Sequence, residues 1–84
     1  MIIEKIGIKG MNEAEVYILI GAKIKALRQS KGMTQQTLAD ECDIETPNLS
    51  RIESGNTNPT VKSLWKISKA LCVKLKDLVD IDNN

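Results

Sequence analysis

Between Thr34 and Ser54 the chain carries two short apolar segments at helical spacing with only a tight turn between them, and this limits the fold more than any other feature of the sequence. Thr34 is a sound N-cap, and Leu38, Ala39 and Cys42 recur behind it at one-, three- and four-residue steps, the inner side of a helix over about residues 35–42. Asp43 can take the left-handed conformation that ends a helix, though less easily than glycine. Ile44 then plugs the turn. Thr46-Pro47 starts the next helix, because threonine caps and proline at the first helical position has no N–H to waste. Leu49 and Ile52, three apart, face inward, while Asn48, Ser50 and Arg51 point elsewhere. Ser54-Gly55-Asn56 closes the segment. Two short helices so closely joined must cross steeply, which demands a small residue where they touch, and Ala39 supplies it.

The flanking sequence adds three more helices. Asn12 and Glu15 have the spacing of a capping box, and Tyr17, Ile20, Ile24 and Leu27 form an amphipathic stripe that Gly32 stops, predicting a first helix over about 13–31. Gly21 lies inside it at a propensity cost of about 1 kcal/mol, which implies that another backbone comes close there. After the polar loop Asn56-Thr57-Asn58-Pro59, Thr60 caps a fourth helix with an inner stripe of Val61, Leu64, Ile67, Ser68 and Leu71. Val73, Leu75, Leu78 and Val79 predict a short fifth helix that closes the core. The fold class is therefore all-α, with a helical domain at 12–80 and a frayed tail at 81–84. In residues 1–11, Ile2, Ile6 and Ile8 alternate with Lys5, Gly7 and Lys9, the pattern of a short strand that lacks an obvious partner, or else a loose tail.

Composition removes most enzymatic possibilities. Eighty-four residues make one domain with a modest core. With two cysteines and no histidine, a four-ligand Cys/His zinc site cannot form within one chain, and the commonest general base is missing. No phosphate-cradling glycine loop or nucleophile elbow is present. No catalytic residue, metal ligand or cofactor is assigned, and no small-molecule ligand is expected. Cys42 and Cys72 are read as small, partly buried thiols rather than a disulfide. No apolar run approaches the roughly 18 residues of a membrane span, and Met1-Ile2-Ile3 meets Glu4 and Lys5 at once, unlike a signal peptide. No membrane partner is expected, and the cytoplasm is the expected location.

Taken together and in order, Ile20-Gly21, Leu27-Arg28, Gly32-Met33-Thr34-Gln35, Leu38-Ala39, Leu49-Ser50-Arg51-Ile52-Glu53, Ser54-Gly55, Asn58-Pro59-Thr60, Ile67 and Ala70-Leu71 resemble the Cro/repressor-type (xenobiotic-response-element) helix-turn-helix domains. The resemblance covers about residues 18–80. It implies a compact five-helix repressor-like domain that binds operator DNA as a transcriptional regulator, usually a homodimer on a near-palindromic site. It further implies that Gln35 holds a DNA phosphate, and that Thr46, Pro47, Asn48 and Arg51 form the base-reading face of a helix in the major groove. Asn56, Thr57, Asn58 and Thr60 match a phosphate-gripping loop, and Arg28 and Glu53 match a buried ion pair. The chemistry agrees: arginine can clasp guanine O6/N7 and asparagine adenine N6/N7. Three residues depart from the family pattern, namely Asp43 in place of glycine, Pro47 in place of a polar residue, and Lys74 in place of a capping serine or threonine.

Charge points the other way. The stretch 34–60 carries Arg51 against Asp40, Glu41, Asp43, Glu45 and Glu53, and the whole chain has a net charge of only +1, far from the basic signature of nucleic-acid binders. The competing reading is a protein-interaction module on the same fold, antitoxin-like or a scaffold, that does not itself read DNA. Trp65 reads as a half-buried packing residue, and Lys62, Lys66 and Lys69 as a solvated face with DNA backbone contact as the second reading.

Overall fold

The computed structural model describes residues 11–81, so the strand-or-tail expectation for the N-terminal segment and the final three residues lie outside it, apart from Met11 and Ile81. Five helices follow in order: α1 (Glu13–Ser30), α2 (Gln35–Cys42), α3 (Thr46–Ser54), α4 (Val61–Leu71) and α5 (Leu75–Val79). Among the described residues there is no strand.

The ends of the helices show which local signals operate. The Asn12 side chain accepts from the Glu15 N–H at 2.9 Å, and the Glu15 carboxylate accepts from the Asn12 N–H at 3.0 Å, closing the capping box. Thr34 and Thr60 cap α2 and α4 through the N–H groups of Thr37 and Ser63, each at 3.0 Å. Asp43 does adopt the left-handed conformation, φ 57°, and so does Cys72 after α4, φ 59°. Thr46 is not the cap of α3. Glu45 takes that place, makes no side-chain capping bond, and leaves Pro47 one position inside the helix. Every N–H of the first helical turn lacks an intrahelical acceptor, so proline fits at either of its first two positions and does not pin the boundary. Lys74 has no acceptor to offer α5; only the reciprocal half of a box forms, the Lys74 N–H donating to Asp77 at 3.1 Å.

Ile24, Leu38, Leu49, Ile67, Leu71 and Leu78 are fully buried and draw on all five helices. At roughly 1.5–3 kcal/mol for each buried side chain, they dominate the cohesion of so small a domain. Val61, expected on the inner stripe, is 72% exposed: it opens α4 one turn ahead of Leu64, where that face has left the core. Ile81, expected in the frayed tail, is buried and extends the core beyond α5. Val73 precedes α5, and Val79 at its end is exposed. Trp65 is exposed as well, with the Lys69 ammonium 4.3 Å from its ring centroid. Both cysteines are free; Cys42 is buried, whereas Cys72 is exposed rather than partly buried.

Candidate nucleic-acid interface

The position of α3 is fixed from behind. A Cβ on Gly21 would overlap the carbonyl oxygens of Ile52 and Glu53, the latter at 2.5 Å, so only glycine lets α1 lie directly on the end of α3. Beside this contact Arg28 Nε donates to Glu53 Oε2 at 2.7 Å and Nη2 to Oε1 at 3.1 Å, a two-pronged pair that is almost fully enclosed. Arg28 Nη1 also donates to the Met33 carbonyl at 2.7 Å, tying in the loop before α2. Leu49 and Ile52, on the same buried face as Glu53, anchor α3 in the core.

Gln35 belongs to this assembly, a role its sequence position did not suggest. Its amide nitrogen donates to Glu53 Oε1 at 3.0 Å. One amide hydrogen remains free at a half-buried site.

The outer side of α3 carries Pro47, Asn48, Ser50 and Arg51, all exposed, with Thr46 partly covered. Arg51 Nη1 donates to Asn48 Oδ1 at 2.6 Å, so these two residues, one turn apart, form a single unit. A groove of about 410 Å³ runs between α3 and the start of α4, lined among others by Glu45, Asn48, Arg51, Thr57, Asn58, Thr60, Ser63 and Lys66. Thr46 and Pro47 line a neighbouring open groove with Asp40, Asp43 and Glu45. Asn48 and Arg51 thus meet Thr57, Asn58 and Thr60 along one channel, while Gln35 sits on the Arg28–Glu53 side and Asn56 lines neither groove. The Asn56 N–H is committed to the Arg51 carbonyl at 3.0 Å, closing α3. The Thr60 hydroxyl is committed twice to Ser63, accepting from its N–H and donating to its hydroxyl.

Glu45 and Ser63 were not singled out as site residues from the sequence, and Lys66 was read first as part of a solvated face, with DNA backbone contact second. The signal for the last two is the three-residue step from the cap Thr60, which places 60, 63 and 66 on one face of α4. Chemically the channel offers neutral hydroxyls and amides, the cations Arg51 and Lys66 offset by the carboxylates Asp43 and Glu45, and the dipole of α4, so a polyanion would be held there by neutral donors and few charged points.

Known proteins share this fold. The helix-turn-helix family model matches residues 24–78. The control protein C.BamHI of Bacillus amyloliquefaciens is 44% identical over 66 residues, spanning 77% of this chain and 82% of that protein. The crystal structure of the restriction-modification controller protein C.AhdI from Aeromonas hydrophila superposes with a TM-score of 0.73 at 26% identity, covering 74% of this chain and 94% of that one. SinR, a master regulator for biofilm formation solved in complex with DNA, superposes at 0.69 with 37% identity, over 73% of this chain and 98% of that one. With the matched segment running from the middle of α1 to α5 and containing the whole α2–turn–α3 unit, the chain belongs to the helix-turn-helix family.

Proposed function

We propose that this protein is a sequence-specific double-stranded DNA-binding transcriptional regulator that enters the major groove with the outer face of α3 and works by binding alone, without catalysis or a cofactor. The observation that carries the reading is the pairing of Asn48 with Arg51 on a helix whose back is locked by Arg28, Glu53 and Gly21. A rigid backing with a solvated polar front is what base readout requires, since groove-facing side chains read and phosphate contacts set register. The fold shared with SinR, a protein solved on DNA, supports the same reading.

Arg51 and Asn48 read base edges, Thr46 adds a hydroxyl, and Pro47 offers apolar contact. Gln35 gives its free amide hydrogen to a phosphate. Thr57 and Asn58, together with the first N–H groups of α4, take the next phosphates. Asn56, whose backbone N–H is spent, keeps its side-chain amide for a phosphate, while Thr60, whose hydroxyl is committed to Ser63, shapes the loop more than it grips. The protein acts in the cytoplasm as a homodimer on an inverted repeat, its half-sites separated by roughly 34 Å.

Selection from random duplexes at near-physiological salt tests the proposal. An enriched inverted repeat is expected. Binding without sequence preference, or none at all, would leave the interaction-module reading in its place.

A further inference from the structure

Resting on α3 being the reading element, we infer that Asn48 and Arg51 act as one donor-only reader: Arg51 selects guanine, and Asn48 selects a keto base, guanine or thymine, at the neighbouring position instead of adenine. Arginine carries N–H donors and no acceptor. A 2.6 Å approach of its Nη1 to Asn48 therefore fixes the amide with its oxygen toward Arg51 and its NH2 group away. The two-pronged clasp of adenine needs that same oxygen to accept from the adenine amino group while the amide nitrogen donates to N7. Here one lone pair of the oxygen already accepts from a cation, and an amino group approaching the other would meet the guanidinium hydrogens. What remains for the groove is the Asn48 NH2 group and the unspent N–H groups of Arg51, donors throughout. In the major groove the matching partners are the guanine O6/N7 pair and the thymine O4; adenine offers the single acceptor N7 beside an amino donor that opposes the pair, and cytosine only an amino donor.

Neighbouring residues leave this arrangement intact. Pro47 carries no polar side-chain atom and Ser50 makes no hydrogen bond to either partner, so neither competes for the Asn48 oxygen. Two carboxylates, Asp43 in the turn and Glu45 at the start of α3, also line the groove. Neither bonds to Asn48 or Arg51, so the pair keeps its donors.

The test is selection from random duplexes with the wild-type chain, Asn48→Ala and Arg51→Ala, followed by competition against single-base variants of the enriched site. The wild-type half-site should hold guanine next to guanine or thymine, with guanine favoured about fivefold to 150-fold at the Arg51 position. Asn48→Ala should flatten its own position and also weaken the guanine preference severalfold, because Arg51 loses its brace. Arg51→Ala should abolish the guanine preference and, by freeing the amide oxygen, let adenine compete at the Asn48 position. Two results overturn the inference while leaving DNA reading by α3 standing: adenine preferred at the Asn48 position by the wild type, or Asn48→Ala leaving the guanine preference untouched. Should neither substitution alter the preferred site, α3 is not the reader, and the inference falls with the reading beneath it.

Discussion

At the residue scale the Arg28–Glu53 pair has most at stake. Each partner is enclosed, and Gln35 and the Met33 carbonyl add one further hydrogen bond to each, so removing one charge strands the other. Such a loss costs roughly 3–5 kcal/mol, a large share of the about 5–15 kcal/mol that a domain has to lose. Arg28→Ala and Glu53→Ala should each lower the melting temperature sharply, and the double variant should cost clearly less than their sum; strict additivity in denaturant titrations would show two independent charges. Cys42 makes a second case. Burial pushes its thiol up to about 11, Glu41 adding to the shift and Lys66 opposing it. The folded chain keeps this proton at a pH where the unfolded chain has released it, so stability should fall as pH rises from about 9 towards 11. Cys42→Ala should remove that part of the alkaline decline in melting temperature, while Cys72→Ala, altering an exposed thiol, should leave it in place. A decline identical in the wild type and Cys42→Ala would assign it to other groups.

At the scale of the element the turn between α2 and α3 holds the main compromise. Asp43 is left-handed and non-glycine, with its N–H on the Asp40 carbonyl at 3.3 Å and the Ile44 N–H on the Ala39 carbonyl at 3.0 Å. Both bonds are made by backbone, so Asp43→Gly keeps them while relieving the Cβ crowding of that conformation. It should raise stability by about 0.5–1 kcal/mol in urea titrations; a destabilised variant would mean that the carboxylate itself supports the turn. The elements were legible in the sequence wherever two signals agreed. Caps with an apolar stripe behind them located α1, α2 and α4, and the glycine inside α1 announced the approach of α3. What stayed hidden depended on where faces end in space. Val61 continues the stripe of α4 in sequence yet lies beyond the core, and Ile81 follows a short helix yet finds the core again. The exposure of Asn48, Ser50 and Arg51 on the outer side of α3 was likewise legible from their spacing. The Asn48–Arg51 bond was not, because a three-residue step brings side chains near without saying which atoms meet.

For the whole molecule the question is how a chain of net charge +1 holds a polyanion. Glu53 is neutralised by Arg28, but Asp40, Glu41, Asp43 and Glu45 remain exposed around the turn and the start of α3. Against them Arg51 and Lys66 are the two cations lining the channel. Affinity must therefore rest on neutral donors held in register, and few counterions are displaced. Each neutralised phosphate contributes a slope of about −0.9 to the logarithm of affinity against the logarithm of salt concentration, so one domain should show only about −1 to −2. Lys66→Ala should reduce the magnitude of that slope by about one. Gln35→Ala should weaken binding to every sequence alike while leaving the slope nearly unchanged, because the lost donor carries no charge. Titrating all three proteins on one duplex from low to physiological salt separates these contributions. A steep slope that survives Lys66→Ala would move the phosphate contacts away from the channel, towards Lys23 and Lys25 of α1 and Lys31 after it, and would require α3 to meet DNA from a different side.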